Sequence, residues 1–185
     1  MLTPTKPFNG NPQLPQMCIV VNLFGGPGVG KSTIAAQLFS MLKWNNISCE
    51  LITEFAKELV WAGSHSELDD QLYVFARQYH KQWVMKGQVD IIITDSPILL
   101  SLIYGKERST SFHGLVLDKF HEFRNRNILL QREKPYHEKG RMQTHDESKV
   151  IDTKMKLMLD KFQILHSTMP GNESTAQHIY GSTHL

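Results

Sequence analysis

Residues 17–44 read MCIVVNLFGGPGVGKSTIAAQLFSMLKW, and this stretch decides the fold. Its first part, residues 17–24, is a short apolar run rich in β-branched side chains, which is typical of a buried strand. Apolar side chains recur at helical spacing from Lys31 onward. Between the two, residues 25–32 (GGPGVGKS) match G-x-x-x-x-G-K-[ST] in the strand–loop–helix context that a phosphate-binding loop requires.

The chemistry of nucleotide binding explains the residue types in this loop. Glycines allow positive φ angles and a close approach of the backbone, so that successive N–H groups point at phosphate oxygens. The helix that begins near Lys31 adds the positive end of its dipole. Lys31 can reach the β- and γ-phosphates of ATP, and the Ser32 hydroxyl can ligate Mg²⁺. We expect the nucleotide to contact Gly25, Gly26, Gly28, Val29, Gly30, Lys31, Ser32 and Thr33.

The rest of the chain alternates strands with helices. The strand candidates are continuous apolar runs, which indicates a five-stranded parallel sheet with helices on both faces, an α/β fold. Beyond the first pair of elements, strands are predicted at 48–53, 89–95, 127–131 and 162–166, and helices at 54–61, 69–87, 113–124 and 146–160. We predict one domain over 17–170, a disordered proline-rich segment over 1–16 and a C-terminal tail over 171–185.

Composition excludes several classes of protein. Of 185 residues 41% are hydrophobic, enough for a core, yet no apolar run approaches the ~18 residues of a membrane-spanning helix. The N-terminal residues show no secretory signal, and Cys18 and Cys49 lie too far apart for a zinc pattern. We therefore expect buried thiols in a cytoplasmic protein. The net charge of +2 excludes a strongly basic nucleic-acid coat protein.

One segment, residues 124–141, is locally basic. It carries six basic side chains against two acidic ones, a net charge of +4, so the rest of the chain carries −2. Such a run is commonly a solvated face. Because this one follows a predicted strand, a surface face and a functional basic site both stay open.

The classes of phosphate-loop protein differ in their other motifs. A regulatory GTPase needs an Asn-Lys-x-Asp sequence, which this chain lacks. A motor or remodelling ATPase usually has a glutamate beside its strand-end aspartate to activate water, whereas Asp95 is followed by Ser96 and Pro97. We also expect no room in 185 residues for the extra lid domain of the large ring ATPases. These absences favour a kinase, which transfers phosphate to an acceptor other than water.

Five segments within residues 17–170 carry a family resemblance: LFGGPGVGKST, LITEFAKELVW, DQLYVFARQ, VDIIITDSP and REKPYHEKGRMQT. Together they resemble the small phosphate-loop proteins of bacteriophage genomes that are grouped with the kinase domain of the NadR-type ribosylnicotinamide kinases. The resemblance implies a fold like that of nucleoside and nucleotide kinases, with a mobile lid. It implies ATP and Mg²⁺ as cofactors and, for a phage-encoded protein, the host cytoplasm as its location. The acceptor stays open, because members of the family act on different ones.

The resemblance also implies roles for two carboxylates. In the similar deoxynucleoside kinases, a glutamate at the position of Glu54 takes the proton of the acceptor hydroxyl, as a general base must. A glutamate favoured by the helix dipole, after Thr53 as N-cap, is the alternative. Asp95 stands where related kinases hold Mg²⁺ through water. The arginine that follows this acid in nucleoside kinases is missing, which weakens the case for a deoxynucleoside acceptor.

Three residues of the long predicted helix are candidates for contacts with the acceptor. Gln71 stands where a glutamine reads the base edge in the resembling nucleoside kinases, and Tyr73 could stack on the base or bond to it. Arg77 lies one turn after Tyr73 on the same face and could hold an acceptor phosphate. A polar helix face without function is the alternative.

Residues 132–152 are the candidate lid. Lid arginines close over the transferring phosphoryl group and neutralise its developing charge. Arg132, at the end of a predicted strand, and Arg141 are the catalytic candidates, with Lys134 third. Gly140 supplies a flexible point for closure.

Three functions stay open from the sequence. The first is an ATP-dependent kinase of a small acceptor, above all a nucleoside or nucleotide. It would use Lys31, Glu54, Asp95, Arg132 and Arg141 for catalysis, with Ser32 and Asp95 at the metal. The second is a kinase of a hydroxymethylated base in phage DNA, with the basic segment on the DNA backbone. The third is a nucleotide-dependent switch or ATPase with little kinase activity. No membrane partner is expected, and a homodimer is compatible with the sequence.

Overall fold

Five parallel strands form the sheet at the centre of the molecule. The computed structural model of the chain describes residues 18–105, 109–133 and 144–182. The strands are β1 (Ile19–Phe24), β2 (Cys49–Ile52), β3 (Ile91–Thr94), β4 (Arg124–Gln131) and β5 (Ser167–Pro170). They lie in the order β2-β3-β1-β4-β5, and each neighbouring pair is parallel. The predicted α/β class and the five-stranded parallel sheet are confirmed.

Helices connect the strands and cover both faces of the sheet, as predicted. They are α1 (Lys31–Trp44), α2 (Phe55–Ala62), α3 (His65–Asp69), α4 (Gln71–Trp83), α5 (Ser101–Tyr104), α6 (Thr110–His121), α7 (His145–Lys161) and α8 (Thr175–Gly181). A 3₁₀ turn over Ile98–Leu100 precedes α5. The short helices α3 and α5 and this turn were not predicted.

Burial on both faces explains why the strands are continuous apolar runs. Every residue of β3 is buried, and Ile91, Ile92 and Ile93 are fully so. On one face Leu38 of α1 and Ile179 of α8 pack with the sheet. On the other face the core is formed with α4, α6 and α7. A strand between two layers of helices has no solvent side, so it needs no polar alternation.

The last strand lies further along the chain than the sequence predicted. Residues 162–166 were predicted as a strand, but Phe162 ends α7, and Gln163 has a left-handed backbone with φ 53°. Ile164 is buried next to α7, whereas Leu165 is 91% exposed. The apolar residues of this segment therefore close the end of a helix, and β5 begins only after them.

The C-terminal region also differs from the prediction of a tail over 171–185. Helix α8 lies in this region, with Thr175, Ala176 and Ile179 fully buried beside α1. The Asn172 side chain accepts a hydrogen bond from the Ser174 N–H at 3.1 Å, which shapes the turn before the helix. An apolar spacing of one turn is too short a pattern to separate a helix from a tail in the sequence.

The second half of the predicted lid is helical. Helix α7 begins with a capping box, in which Thr144 and Glu147 bond to each other's backbone N–H groups. The lid candidates Lys134, Gly140 and Arg141 lie outside the described residues, as does the predicted disordered segment 1–16.

Neither cysteine forms a disulfide, and both thiols are buried, as expected. Burial raises the pKa of the Cys18 thiol to about 11, so it stays protonated and unreactive at neutral pH. Within the described ranges, no helix combines the length and the apolar character that crossing a membrane would need.

We expect Ile179→Ala to lower the free energy of unfolding by about 2–5 kcal/mol, because it opens a cavity under α1. Leu165→Ala is the matched control, since this side chain is 91% exposed and its removal should change stability by less than about 0.5 kcal/mol. Urea unfolding followed by circular dichroism measures both. An Ile179 variant as stable as the wild type would show that residues 175–181 are a loosely attached tail.

Candidate active site

The topology brings the functional candidates to one edge of the sheet. Because all five strands are parallel, their carboxyl ends lie side by side. Glu54 follows β2, Asp95 follows β3, the phosphate loop follows β1 and Arg132 follows β4. The strand order therefore places the loop in the middle, with the two carboxylates on one side and the arginine on the other.

The loop has the backbone geometry that its glycines predict. Gly25, Gly28 and Gly30 have φ angles of 147°, 80° and 106°, which favour glycine over any residue with a Cβ. Gly30 is the N-cap of α1, and no side chain caps this helix end. The first amide groups of a 14-residue helix are thus left without a side-chain acceptor, and such amides bind anions well.

Lys31 lies at the centre of the site. Its Nζ donates hydrogen bonds to the carbonyl oxygens of Gly25 at 2.6 Å and Gly26 at 3.1 Å. Burial lowers the pKa of Lys31, the charges of Glu54, Asp95 and Asp152 act to raise it, and that of Arg132 acts to lower it. One lysine therefore interacts electrostatically with groups that follow three different strands.

Asp95 is buried, and its Oδ1 has no hydrogen-bond partner among the described residues. Burial raises the pKa of Asp95, while the charge of Lys31 and a hydrogen bond from the Ser32 side chain act to lower it. The structure thus brings together the two predicted Mg²⁺ ligands. An unsatisfied carboxylate oxygen beside a hydroxyl fits Mg²⁺, which takes few protein oxygens and completes its shell with phosphate and water.

No side-chain cluster in the described ranges offers three or more His, Cys, Asp or Glu ligands to a metal ion. A Mg²⁺ ion held by the Ser32–Asp95 pair would have its shell completed by the phosphates of a nucleotide and by water.

Glu54 does not use its carboxylate to cap a helix. It is itself the N-cap residue of α2, in place of Thr53, and its side chain makes no capping hydrogen bond. Burial raises the pKa of Glu54 and the charge of Asp95 raises it further, while Lys31 and Lys57 act to lower it. The charges of Lys31, Asp95 and Lys57 therefore act on a partly buried carboxylate at the end of β2.

Two residues near Glu54 were missed in the sequence. Gln78 of α4 is buried, accepts the Phe55 N–H at 2.9 Å and donates to the Thr53 carbonyl at 3.4 Å. Its amide thereby holds the two peptides on either side of Glu54. Lys57 is exposed, and its charge acts to lower the pKa of both Glu54 and Asp95. Neither belongs to a motif, although Gln78 breaks the apolar face of α4 and could have been noticed for that reason.

The three acceptor candidates on α4 are occupied by local contacts. Gln71 Nε2 donates to the Leu68 carbonyl at 2.8 Å. The ring of Tyr73 meets the edge of the Phe55 ring at 5.5 Å between centroids, and the Arg77 guanidinium lies 5.3 Å from the same ring centroid. These contacts show how the side chains pack on α2, and their roles toward an acceptor stay predictions.

Arg132 lies against the phosphate loop and is paired with a residue that the sequence did not single out. Its Nε and Nη2 donate to Oδ2 of Asp152 at 3.0 and 2.8 Å. Oδ1 of Asp152 accepts the Gly26 N–H at 2.6 Å. Asp152 lies in the middle of an amphipathic helix, where an acid usually faces solvent, so no sequence signal marked it.

Strand β4 separates the first basic residues of the segment 124–141 from Arg132, because they lie near opposite ends of the strand. Arg124 and Arg126 lie in the first half of the strand, and eight residue steps of about 3.3 Å, about 26 Å in all, separate Arg124 from Arg132. Arg126 donates to the Ile179 carbonyl at 3.3 Å and to Ser182 Oγ at 2.5 Å. Its first two arginines therefore cannot act on the same phosphoryl group as Arg132, and Arg126 serves the attachment of α8.

The fold and the loop together define a nucleotide-binding protein of the phosphate-loop class. A family model described as an AAA domain matches residues 20–175, and the chain belongs to this family. The description names a class of domain and gives no acceptor. No curated protein matches the chain.

The structure of NadR protein supports the fold. The crystal structure of NadR protein in complex with NR aligns with a TM-score of 0.66 at 16% identity, over 92% of this chain. The alignment takes in 53% of the NadR chain, so this protein spans about half of that length. The APS kinase CysC Cys556Ala mutant of Mycobacterium tuberculosis aligns at 15% identity over 80% of this chain and 99% of its own, with a TM-score of 0.42. The resemblance to the NadR-type kinase domain is thus confirmed as a shared fold, and a bacteriophage origin stays a prediction.

We expect Glu54→Gln to raise the free energy of unfolding at neutral pH. The folded state raises the pKa of Glu54, so the charged carboxylate is less favourable there than in the unfolded chain. An amide resembles the protonated form and escapes this cost. The gain should shrink as the pH falls from the raised folded pKa toward the unfolded value of about 4.3, because the wild-type carboxyl then takes up its proton.

Urea unfolding at neutral and at mildly acid pH measures this gain. Glu58→Gln is the matched control on α2, since Glu58 is exposed and pairs with Lys81 at the surface. Its effect should stay below about 1 kcal/mol at both pH values. A Glu54→Gln variant less stable than the wild type would assign Glu54 a structural role.

Proposed function

We propose that the protein is a kinase that transfers the γ-phosphoryl group of ATP to a hydroxyl or phosphate of a small acceptor, a nucleoside or nucleotide. The observation that carries the proposal is the position of Glu54. Its carboxylate lies close enough to Lys31 and Asp95 for their charges to act on it, and burial raises its pKa. Transfer to a hydroxyl releases a proton and needs such a group to accept it, whereas transfer to an ionised phosphate does not.

The donor side of the site would be formed by the loop and the start of α1. The uncapped amides after Gly30 supply hydrogen bonds for phosphate oxygens, and Lys31 supplies a positive charge beside them. Ser32 and Asp95 would hold Mg²⁺, which neutralises phosphate charge when it is bound. The loop's own carbonyls keep the Lys31 ammonium close to the phosphate position, so little reorganisation is needed on binding.

The acceptor side would lie beyond Asp95, at the end of β2. Glu54 would accept the proton of the attacking hydroxyl and hold it on a carboxyl oxygen. A raised pKa makes Glu54 a better proton acceptor than an ordinary carboxylate, provided that it is still ionised at the working pH. Lys57 would keep it ionised and is well placed to attract an anionic acceptor.

Arg132 completes the site from the other side of the loop. Its guanidinium is held near Gly26, and its charge acts on Lys31. A positive group there would stabilise the charge that spreads over the phosphoryl oxygens in the transition state. Arg141 stays a prediction for the same task.

A nucleoside or nucleotide acceptor is supported by the resemblance to the NadR-type kinase domain and by the fold shared with NadR in complex with NR. An ATPase is disfavoured by the residue after Asp95, which is Ser96 and not a water-activating glutamate. A kinase of a small acceptor, a DNA kinase and an ATPase each give a different labelled product from γ-labelled ATP. A single labelling experiment therefore separates the three.

We expect γ-labelled ATP and Mg²⁺ to label a nucleoside or nucleotide in a screen of small acceptors and modified DNA. Release of inorganic phosphate alone would contradict the kinase and favour an ATPase or switch. Labelling of hydroxymethylated DNA, with affinity falling at a log–log slope of about −0.9 for each phosphate contacted, would identify a DNA kinase instead.

Within this assay, Lys31→Ala should lower turnover by about 10²-fold or more while the fold is kept, because the lysine charge is needed most in the transition state. Lys43→Ala is the matched control on the same helix, because Lys43 is exposed and contacts Glu50 and the Phe39 ring at the surface. Its turnover should equal that of the wild type. Wild-type turnover in the Lys31 variant would show that the loop does not serve phosphoryl transfer.

We expect Glu54→Gln to lower turnover by about 10²- to 10⁴-fold and to leave ATP affinity nearly unchanged, because a general base acts on the acceptor. The wild-type turnover should fall at low pH through a pKa above the ordinary glutamate value, and this acid limb should vanish in the variant. Glu58→Gln should retain both turnover and the acid limb. Loss of ATP affinity in Glu54→Gln would assign Glu54 to Mg²⁺ or to structure.

A further inference from the structure

Side chains of helix α7 accept hydrogen bonds from two consecutive N–H groups of the phosphate loop. The Gly25 N–H donates to the sulfur of Met155 at 2.8 Å, and the Gly26 N–H donates to Oδ1 of Asp152 at 2.6 Å. Residues 152 and 155 are three apart on α7, so they lie on the same face of the helix. The first two N–H groups of the loop are therefore bound to α7. The Val29 N–H donates to the Gly26 carbonyl at 3.4 Å, so phosphate would be bound by the remaining N–H groups of the loop and of the first turn of α1.

This contact explains a glycine that the motif itself does not require. Gly26 occupies a position where the phosphate-loop pattern accepts any residue, and it is not among the glycines with a positive φ. A Cβ there would lie 2.6 Å from Oδ1 of Asp152, 2.8 Å from the Ser148 carbonyl and 3.3 Å from Nη2 of Arg132. The close approach of α7 and of Arg132 is what demands glycine at this position.

The second oxygen of the Asp152 carboxylate holds Arg132. Oδ2 accepts hydrogen bonds from Nε at 3.0 Å and Nη2 at 2.8 Å, and the two side chains are 27% and 11% exposed. A charge-assisted pair that is this well shielded fixes the guanidinium more firmly than a surface pair would. One carboxylate thus joins the loop backbone to the arginine.

We propose that Asp152 is a positioning residue that holds the Arg132 guanidinium beside the phosphate loop, so that Arg132 acts on the γ-phosphoryl group of a bound nucleotide. The inference rests on the proposed role of Arg132 toward the nucleotide. It goes beyond that role by assigning the orientation of Arg132 to a residue of α7. Without Asp152 the arginine would move among several rotamers, and misplacement of a charged group by about 1 Å can cost on the order of 10²-fold in rate.

Nucleotide binding can test this assignment without an acceptor. The ratio of the affinities for Mg²⁺-AMP-PNP and Mg²⁺-ADP reports contacts with the γ-phosphoryl group, because the two probes differ only in that group and in the imido nitrogen that carries it. Arg132→Ala should lower this ratio by about tenfold or more, the usual effect of losing a charged hydrogen bond. Asp152→Ala should lower it by most of the same factor.

The double variant decides whether Asp152 acts through Arg132. If it does, adding Asp152→Ala to Arg132→Ala should change the ratio no further, so the two losses are strongly non-additive. Additive losses, or an equal weakening of both nucleotides by Asp152→Ala, would overturn the proposal and leave Asp152 as a support of the loop alone. An unchanged ratio in Asp152→Ala would overturn it as well.

Asp160→Ala is the matched control, because it removes the same side chain from an exposed position on α7. It should leave the ratio at the wild-type value. Asp152→Asn serves if Asp152→Ala does not fold, since its amide oxygen can still accept the Gly26 N–H while the charge that holds Arg132 is gone. The same non-additivity is expected from it, and additive losses would again overturn the proposal.

The outcome is independent of the kinase assay. Failure to transfer a phosphoryl group to any acceptor would contradict the proposed function. The affinity ratios would still show whether Asp152 positions Arg132. A protein that is a kinase with additive losses in the cycle would keep its function and lose this inference.

Discussion

The charge of Lys31, held half-buried among three carboxylates, is the constraint on which the site depends. Burial disfavours the charged form of Lys31, while the charges of Glu54 after β2, Asp95 after β3 and Asp152 on α7 favour it. A single buried charge is costly, but a balanced group of charges is tolerated when each has partners close by. The parallel sheet supplies this closeness, because it gathers the carboxyl ends of its strands at one edge.

The same balance is incomplete at Asp95, whose Oδ1 is buried and has no hydrogen-bond partner among the described residues. Leaving a buried carboxylate oxygen without a partner costs stability, so such an atom calls for an explanation. The proposed Mg²⁺ ion would supply one, because it would take this oxygen as a ligand.

The sequence predicted the elements that carry strong local patterns and missed those that depend on distant contacts. The loop, β1, α1 and the isoleucine strand β3 follow from motif and apolar runs. The shift of β5 does not, because an apolar segment at 162–166 reads the same whether it pairs in a sheet or closes the end of α7. In the site, Lys31 follows from the loop motif and Glu54 and Asp95 follow from strand ends, whereas Gln78 and Asp152 contact residues 20 to 126 positions away along the chain.

Gly26 shows how a distant contact can still leave a trace in the sequence. The motif alone permits any side chain at this position. The approach of α7 leaves no room for a Cβ, so the contact between helix and loop requires glycine there. Such a glycine has no left-handed backbone to explain it, and its explanation must come from its neighbours. The neighbours are Asp152 and Arg132, one acidic and one basic, on the side of the loop opposite to Glu54. The loop is thereby enclosed between a side with two carboxylates, Glu54 and Asp95, and a side where Asp152 binds Arg132. In the proposed transfer, the first side would receive the proton of the acceptor and the second would stabilise the charge on the phosphoryl oxygens.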